Sequence, residues 1–187
     1  MTTHLTRIAH AAWRPATTLS ALVLLATLGA CSSFGPPAGP KAQATLTPTK
    51  GNTASGTVNF EQHGDHVMVS VDISGLKPGQ EHGFHVHEKG DCSSGDGLST
   101  GGHFNPNAQP HGPQHSAHHA GDMPALKADA NGQAKASFHL EGVSLGSGGA
   151  PSLIGHGLIV HAGPDDYSTQ PTGNSGARIA CGVILAR

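Results

Sequence analysis

Residues 66–73, His-Val-Met-Val-Ser-Val-Asp-Ile, constrain the fold more than any other stretch of the chain. Val67, Val69, Val71 and Ile73 alternate with more polar neighbours. A period of two places all four on one face of an extended strand, and that face needs a second layer to cover it. Residues 56–62 form a preceding strand, and His63-Gly64-Asp65 between the two predicts a hairpin turn. Further strands are predicted over 42–48, 80–88, 133–140, 157–161 and 178–186, with Asn131-Gly132 as a turn. No segment of useful length carries a helical period, and 27 glycines and 13 prolines argue against long helices. Short strands with Gly/Pro-rich connections predict an all-β sandwich or barrel.

The N-terminus reads as a targeting segment. Arg7 and Arg14 precede an apolar run, residues 19–28, that is too short to span a bilayer as a helix. It ends at Leu28-Gly29-Ala30-Cys31, which resembles a bacterial lipoprotein signal with Cys31 as the lipidated first residue of the mature chain. An ordinary secretory signal cut near Ala30 is the alternative. Residues 1–30 are thus expected to be a signal peptide and 31–40 a Pro/Gly/Ser linker to a membrane, with one domain over 41–187. Ser32 lacks the acidic character that resembles an inner-membrane retention signal, which directs the expectation to the outer membrane, on the periplasmic side. Losing Arg7 and Arg14 takes the formal charge from −2 to −4. Such a domain lacks the basic footprint of a nucleic-acid binder. Cys92 and Cys181 remain as an even pair in an exported protein, which favours a disulfide over metal ligation.

Eight of the 15 histidines fall between His82 and Asp122. On a strand, His85 and His87 point to the same face and make half a metal site. His103, His111, His119 and Asp122 follow in a long connection over 89–130, and His161 ends the apolar run 158–160. A second long connection covers 162–177. Connections of that length in a compact domain are functional or disordered, and here cross-links could order the first without secondary structure. Imidazoles suit copper, zinc, iron and nickel; a carboxylate added to imidazoles suits tetrahedral zinc, and a tetragonal nitrogen set suits copper(II).

Gly83-Phe-His-Val-His-Glu88, Gly102-His-Phe-Asn-Pro106, His119-Ala-Gly-Asp122, Val160-His161 and the run from Gly173 to Val183 resemble copper–zinc superoxide dismutase of the bacterial exported type. The similarity spans 41–187. It implies a Greek-key flattened β-barrel or sandwich, immunoglobulin-like, that converts superoxide to dioxygen and hydrogen peroxide by alternating copper oxidation states. It further implies copper on His85, His87, His103 and His161, and zinc on His103, His111, His119 and Asp122, with His103 bridging. Asp165 matches a carboxylate that bonds one ligand histidine of each site, Cys92 and Cys181 match the family disulfide, and Arg178 matches the arginine that docks superoxide beside copper. For Arg178 the residues alone leave open a plain pairing with a loop carbonyl or carboxylate. A non-catalytic copper- or zinc-storing lipoprotein and a silent relative are the rival readings; both predict missing ligands or a missing arginine, and none is missing. His82 is expected to be a buried structural histidine and His63 and His66 to be solvated. His115 and His118 neighbour the zinc set and could compete for metal, while His139 and His156 have no motif behind them. The resemblance leaves monomer and homodimer both open.

Overall fold

The computed structural model describes residues 39–147 and 149–187; the signal, Cys31 and most of the linker lie outside them. The strands are β1 (Lys41–Pro48), β2 (Ser55–His63), β3 (His66–Ser74), β4 (Glu81–His82), β5 (Phe84–His87), β6 (Leu126–Lys127), β7 (Ala134–Glu141), β8 (Gly157–His161), β9 (Arg178–Val183) and β10 (Leu185–Ala186). One 3-10 turn, Leu98–Thr100, is the sole helical element among the described residues.

Eight strands make one curled sheet in the order β5-β8-β9-β1-β2-β3-β7, with β10 beside β1; β4 and β6 pair separately. All named pairings are antiparallel. Strand β1 joins the two halves. Its Lys41–Leu46 portion lies against β2, whereas Thr47 and Pro48 lie opposite Cys181 and Ala180 of β9. The fold class is all-β, as the alternation in β3 requires. Its Val67, Val69, Val71 and Ile73 are buried together with Ala42, Ala44 and Leu46 of β1 and Val58 and Phe60 of β2. The hairpin closes where expected, with His63 paired to His66. Gly64 at φ +60 occupies the first turn position, where a type II′ turn needs a positive φ.

Strands β5 and β8 differ from this pattern because every residue in them is buried. Phe84, Val86, Leu158 and Val160 belong to the common core. His85 and His87 alternate with the core residues of β5 and so point outward, where loops cover them.

The sequence-predicted strand over 80–88 is two strands that pair with different partners, β4 with β6 and β5 with β8. The run 178–186 likewise divides, β9 lying against β8 and β10 against β1. The connection 89–130 has more backbone order than predicted. It contains β6, and it returns along the free edge of β5 through bridges His87↔His103 and His85↔Asp122. Val86 N–H donates to Gly121 O at 2.8 Å, and Phe104 N–H to Val86 O at 2.9 Å. Alternation cannot reveal such pairing, because the two segments contribute single bridging residues and not a run.

Cys92 and Cys181 form a disulfide across 89 residues, tying the start of this connection to β9. In the chain-entropy picture a closed loop of that length contributes about 4.6 kcal/mol. The Cys92→Ser/Cys181→Ser double variant should therefore unfold in urea with roughly that much less free energy; an unchanged midpoint would contradict the assignment.

Candidate metal centre

Antiparallel pairing assembles the centre. The register sets His85 opposite Ile159 and His87 opposite Gly157. An irregularity between Val160 and His161 breaks the register and puts His161 opposite Arg178. The unpaired residue is Ile179 on β9, so this β-bulge re-aims Arg178, while His161 reaches the outer face beside His85 and His87 through the alternation of Gly157, Ile159 and His161. The bridges from the long connection add His103 and Asp122 on the other edge of β5.

Two groups of ligand atoms result: one from His85, His87, His103 and His161, the other from His103, His111, His119 and Asp122. Within each group the atoms lie within 4.8 Å of one another, and all seven residues are buried. His103 belongs to both. Its Nδ1 lies 2.8 Å from Asp122 Oδ1 and 3.4 Å from His119 Nδ1, while its Nε2 is buried without a hydrogen-bond partner.

Hydrogen bonds to the far nitrogen of four of the six rings set their tautomers. His85 Nε2 donates to Asp165 Oδ2 at 2.7 Å, and His111 Nε2 donates to Asp165 Oδ1 at 2.9 Å. His87 Nδ1 donates to Gly101 O at 3.0 Å, and His161 Nδ1 to Gly176 O at 3.1 Å. An imidazole that donates from one nitrogen offers a lone pair at the other. The free atoms are then His85 Nδ1, His87 Nε2, His103 Nε2 and His161 Nε2 in the first group. In the second, His103 Nδ1, His111 Nδ1 and His119 Nδ1 gather around Asp122 Oδ1 at 2.8, 3.0 and 3.2 Å.

These groups fit cations. His85 Nδ1, His103 Nε2 and His111 Nδ1 are buried with no hydrogen-bond partner, a costly state for polar atoms. His111 Nδ1 approaches Asp122 Oδ1 to 3.0 Å without hydrogen-bond alignment, so both atoms face a common point. His87 Nε2 and His161 Nε2 confront each other at 3.4 Å although both nitrogens are acceptors in these tautomers. Asp122 and Asp165 are buried, and among the described residues only histidines pair with them. Two buried carboxylates without a lysine or arginine call for another positive charge. Four nitrogens suit copper(II), and three nitrogens with one oxygen suit zinc.

The electrostatics of the all-nitrogen group agree. Burial holds His87 far below the usual imidazole range and lowers His161 to about 3 and His103 to about 4, so these rings are neutral, as ligation requires. Burial also opposes charge on His111, but the carboxylates of Asp122 and Asp165 prevail and raise it to about 9. Burial works against charge on both carboxylates, yet hydrogen bonds from the histidines hold them below the ordinary carboxylate range.

Arg178 sits across from His161 and reaches into the 91–101 segment. Its Nη1 donates to Gly97 O at 2.6 Å and to Thr100 Oγ1 at 2.8 Å, and its Nη2 to Gly101 O at 2.7 Å. The carbonyl pairing left open by the residues alone is thus present. It fixes the guanidinium close enough to His87 and His161 for its charge to disfavour their protonation. His82 is buried, its Nδ1 donating to His161 O at 2.8 Å, in keeping with a structural role. His115 and His118 stay outside both groups, and His118 Nδ1 bonds Ser116 O at 2.7 Å. Sequence reasoning missed the carbonyls of Gly97, Gly101 and Gly176, since no residue type marks an acceptor that every residue has. It also missed Gly173, at φ +65, where a Cβ would strike Asp165 Oδ1 and come 2.5 Å from His111 Nε2.

An all-β scaffold with a shared imidazole between an all-nitrogen group and a carboxylate-containing group defines a two-metal redox enzyme. Residues 54–184 match the model of the copper/zinc superoxide dismutase family (SODC). The chain is 45% identical over 136 residues to superoxide dismutase [Cu-Zn] of Paramecium bursaria Chlorella virus 1, covering 69% of this chain and 71% of that one. It is 39% identical over 148 residues to superoxide dismutase [Cu-Zn] 2 of Aquifex aeolicus (strain VF5), covering 77% and 86%. A solved structure of a SOD-like protein from Bacillus subtilis superposes with TM-score 0.70 at 35% identity, over 76% of this chain and 97% of that one. The clock protein EA4 does so at 0.70 and 40%, over 78% and 93%. The chain belongs to the copper/zinc superoxide dismutase family. It is an oxidoreductase that acts on superoxide with copper and zinc as its metals.

Gly173→Ala should displace the Asp165 carboxylate and weaken zinc binding by about 10–100-fold, the usual effect of losing a carboxylate behind a metal ligand. Competition with a chromogenic chelator measures it, and wild-type affinity in the variant would contradict the packing argument.

Proposed function

We propose that copper is held by His85, His87, His103 and His161, zinc by His103, His111, His119 and Asp122, and that the enzyme works in the cell envelope, tethered through lipid on Cys31. One observation carries the ligand assignment: His103 is the only residue with a nitrogen in each group. When bound, copper supplies the one-electron exchange, taking an electron from one superoxide and giving it to the next, and zinc supplies a fixed positive charge that changes no oxidation state.

The reaction turns two superoxide ions and two protons into dioxygen and hydrogen peroxide. The protein handles charge and protons. Arg178 docks the anion: its guanidinium stays charged at any ordinary pH, and the 91–101 carbonyls aim it. A domain of net charge −4 repels superoxide at a distance, so a local cation must offset that field. His103 holds one of the two protons at Nε2. That nitrogen is buried without a hydrogen-bond partner, so the proton it carries is available to reduced substrate, and the second proton comes from solvent. Asp165 acts through its hydrogen bonds, keeping His85 and His111 in one tautomer throughout.

The envelope reading rests on three features. Residues 1–30 have the charged, apolar and small-residue regions of an export signal, and Cys31 follows directly. The disulfide Cys92–Cys181 is suited to an oxidising compartment. Residues 31–40 supply a Pro/Gly/Ser tether. Cys31→Ser should move the protein from the membrane fraction to the soluble fraction of the envelope; unchanged partition would contradict the anchor.

Arg178→Ala should lower kcat/KM for superoxide on the order of tenfold or more and flatten its decline with added salt. Stopped-flow decay of superoxide at matched copper and zinc occupancy measures both, and wild-type values would remove Arg178 from the docking role.

A further inference from the structure

Three histidines outside the catalytic centre meet on the opposite half of the sheet. His63 ends β2, His66 begins β3, and His139 lies on β7. The register pairs His63 with His66, and Met68 with His139, so all four residues share the outer face of three adjacent strands. The rings of His63 and His66 lie 5.9 Å apart between centroids, and those of His66 and His139 4.8 Å apart. Neighbouring rings within the two buried ligand groups span 4.0 to 6.4 Å between centroids, the same range as the surface pairs, although the surface nitrogens converge on one point only after the side chains turn. Two carboxylates favour a cation there: Glu61 Oε1 is 3.7 Å from His63 Nε2, and Asp65 Oδ1 is 3.2 Å from His66 Nδ1. The rings are exposed or half-buried at a sheet end, so turning them about χ1 and χ2 meets little packing.

We infer that His63, His66 and His139 form a third metal site, on the protein surface, that takes one copper or zinc ion. Imidazole suits both metals. The short β2–β3 turn and the β3–β7 register hold the three ligands without help from a loop. The site stands apart from the catalytic groups and does not depend on how those are assigned.

The test uses the full chain, first loaded with copper and zinc and freed of excess metal, then titrated with Cu²⁺ or Zn²⁺ alone. The wild type should take up one further ion per chain, with a Cu²⁺ electron paramagnetic resonance spectrum of nitrogen ligation distinct from the catalytic signal. His66→Gln/His139→Gln should lose that ion and its spectrum while keeping superoxide turnover, and His115→Gln/His118→Gln should keep the ion. Absence of a further ion in the wild type would overturn the proposal. So would its retention in His66→Gln/His139→Gln, or its loss only in His115→Gln/His118→Gln.

Discussion

Asp165 connects the two halves of the centre. One carboxylate oxygen accepts from His85 on β5 and the other from His111 in the long connection. Those two bonds settle which nitrogen of each ring is bare, and hence where lone pairs converge. They also bury a negative charge that no lysine or arginine among the described residues offsets. Burying an unpaired carboxylate costs several kcal/mol on an order-of-magnitude view. The site repays that cost when cations complete it, and folding of the metal-loaded protein is coupled to the metals through this residue. Asp165 keeps its place because Tyr167 N–H donates to it at 2.8 Å and Gly173 leaves room for it.

The remaining supports divide by rigidity. His85, His87 and His161 stand on strands whose other faces pack into the core, so their positions follow from sheet register. His111, His119 and Asp122 stand on the connection, held by backbone bonds along β5 and by Asp122 Oδ2, which accepts from Gly112 N–H and His119 N–H. The disulfide and Arg178 secure the earlier part of the same connection. Gly101 O accepts from both Arg178 and His87, so the proposed docking group and a histidine of the all-nitrogen group share one carbonyl. Displacing that segment would disturb both at once.

Much of this was legible in the sequence. Alternation in 66–73 gave an all-β fold, because a half-buried strand leaves a period of two in its residues. Six of the seven histidine and aspartate positions lie in short motifs, His111 followed only from the resemblance, and the structure brings all seven together. What stayed hidden was carried by backbone. The division of 80–88 depends on a change of pairing partner at Gly83, which strand character in the residues does not encode. The β9 bulge that sets Arg178 opposite His161, the return of 102–122 along β5 and the carbonyls that hold Arg178 are likewise properties of register. The meeting of His63, His66 and His139 was equally invisible, since His139 is far away in sequence and joins the others only through β3–β7 pairing.

The most direct test of the bridged two-metal centre is anomalous diffraction from crystals of the metal-loaded enzyme at the copper and zinc absorption edges. Copper density should lie among His85, His87 and His161, and zinc density among His111, His119 and Asp122, with the His103 ring between them. A single metal position, both elements mixed at one position, or His103 turned away from either ion would contradict the account.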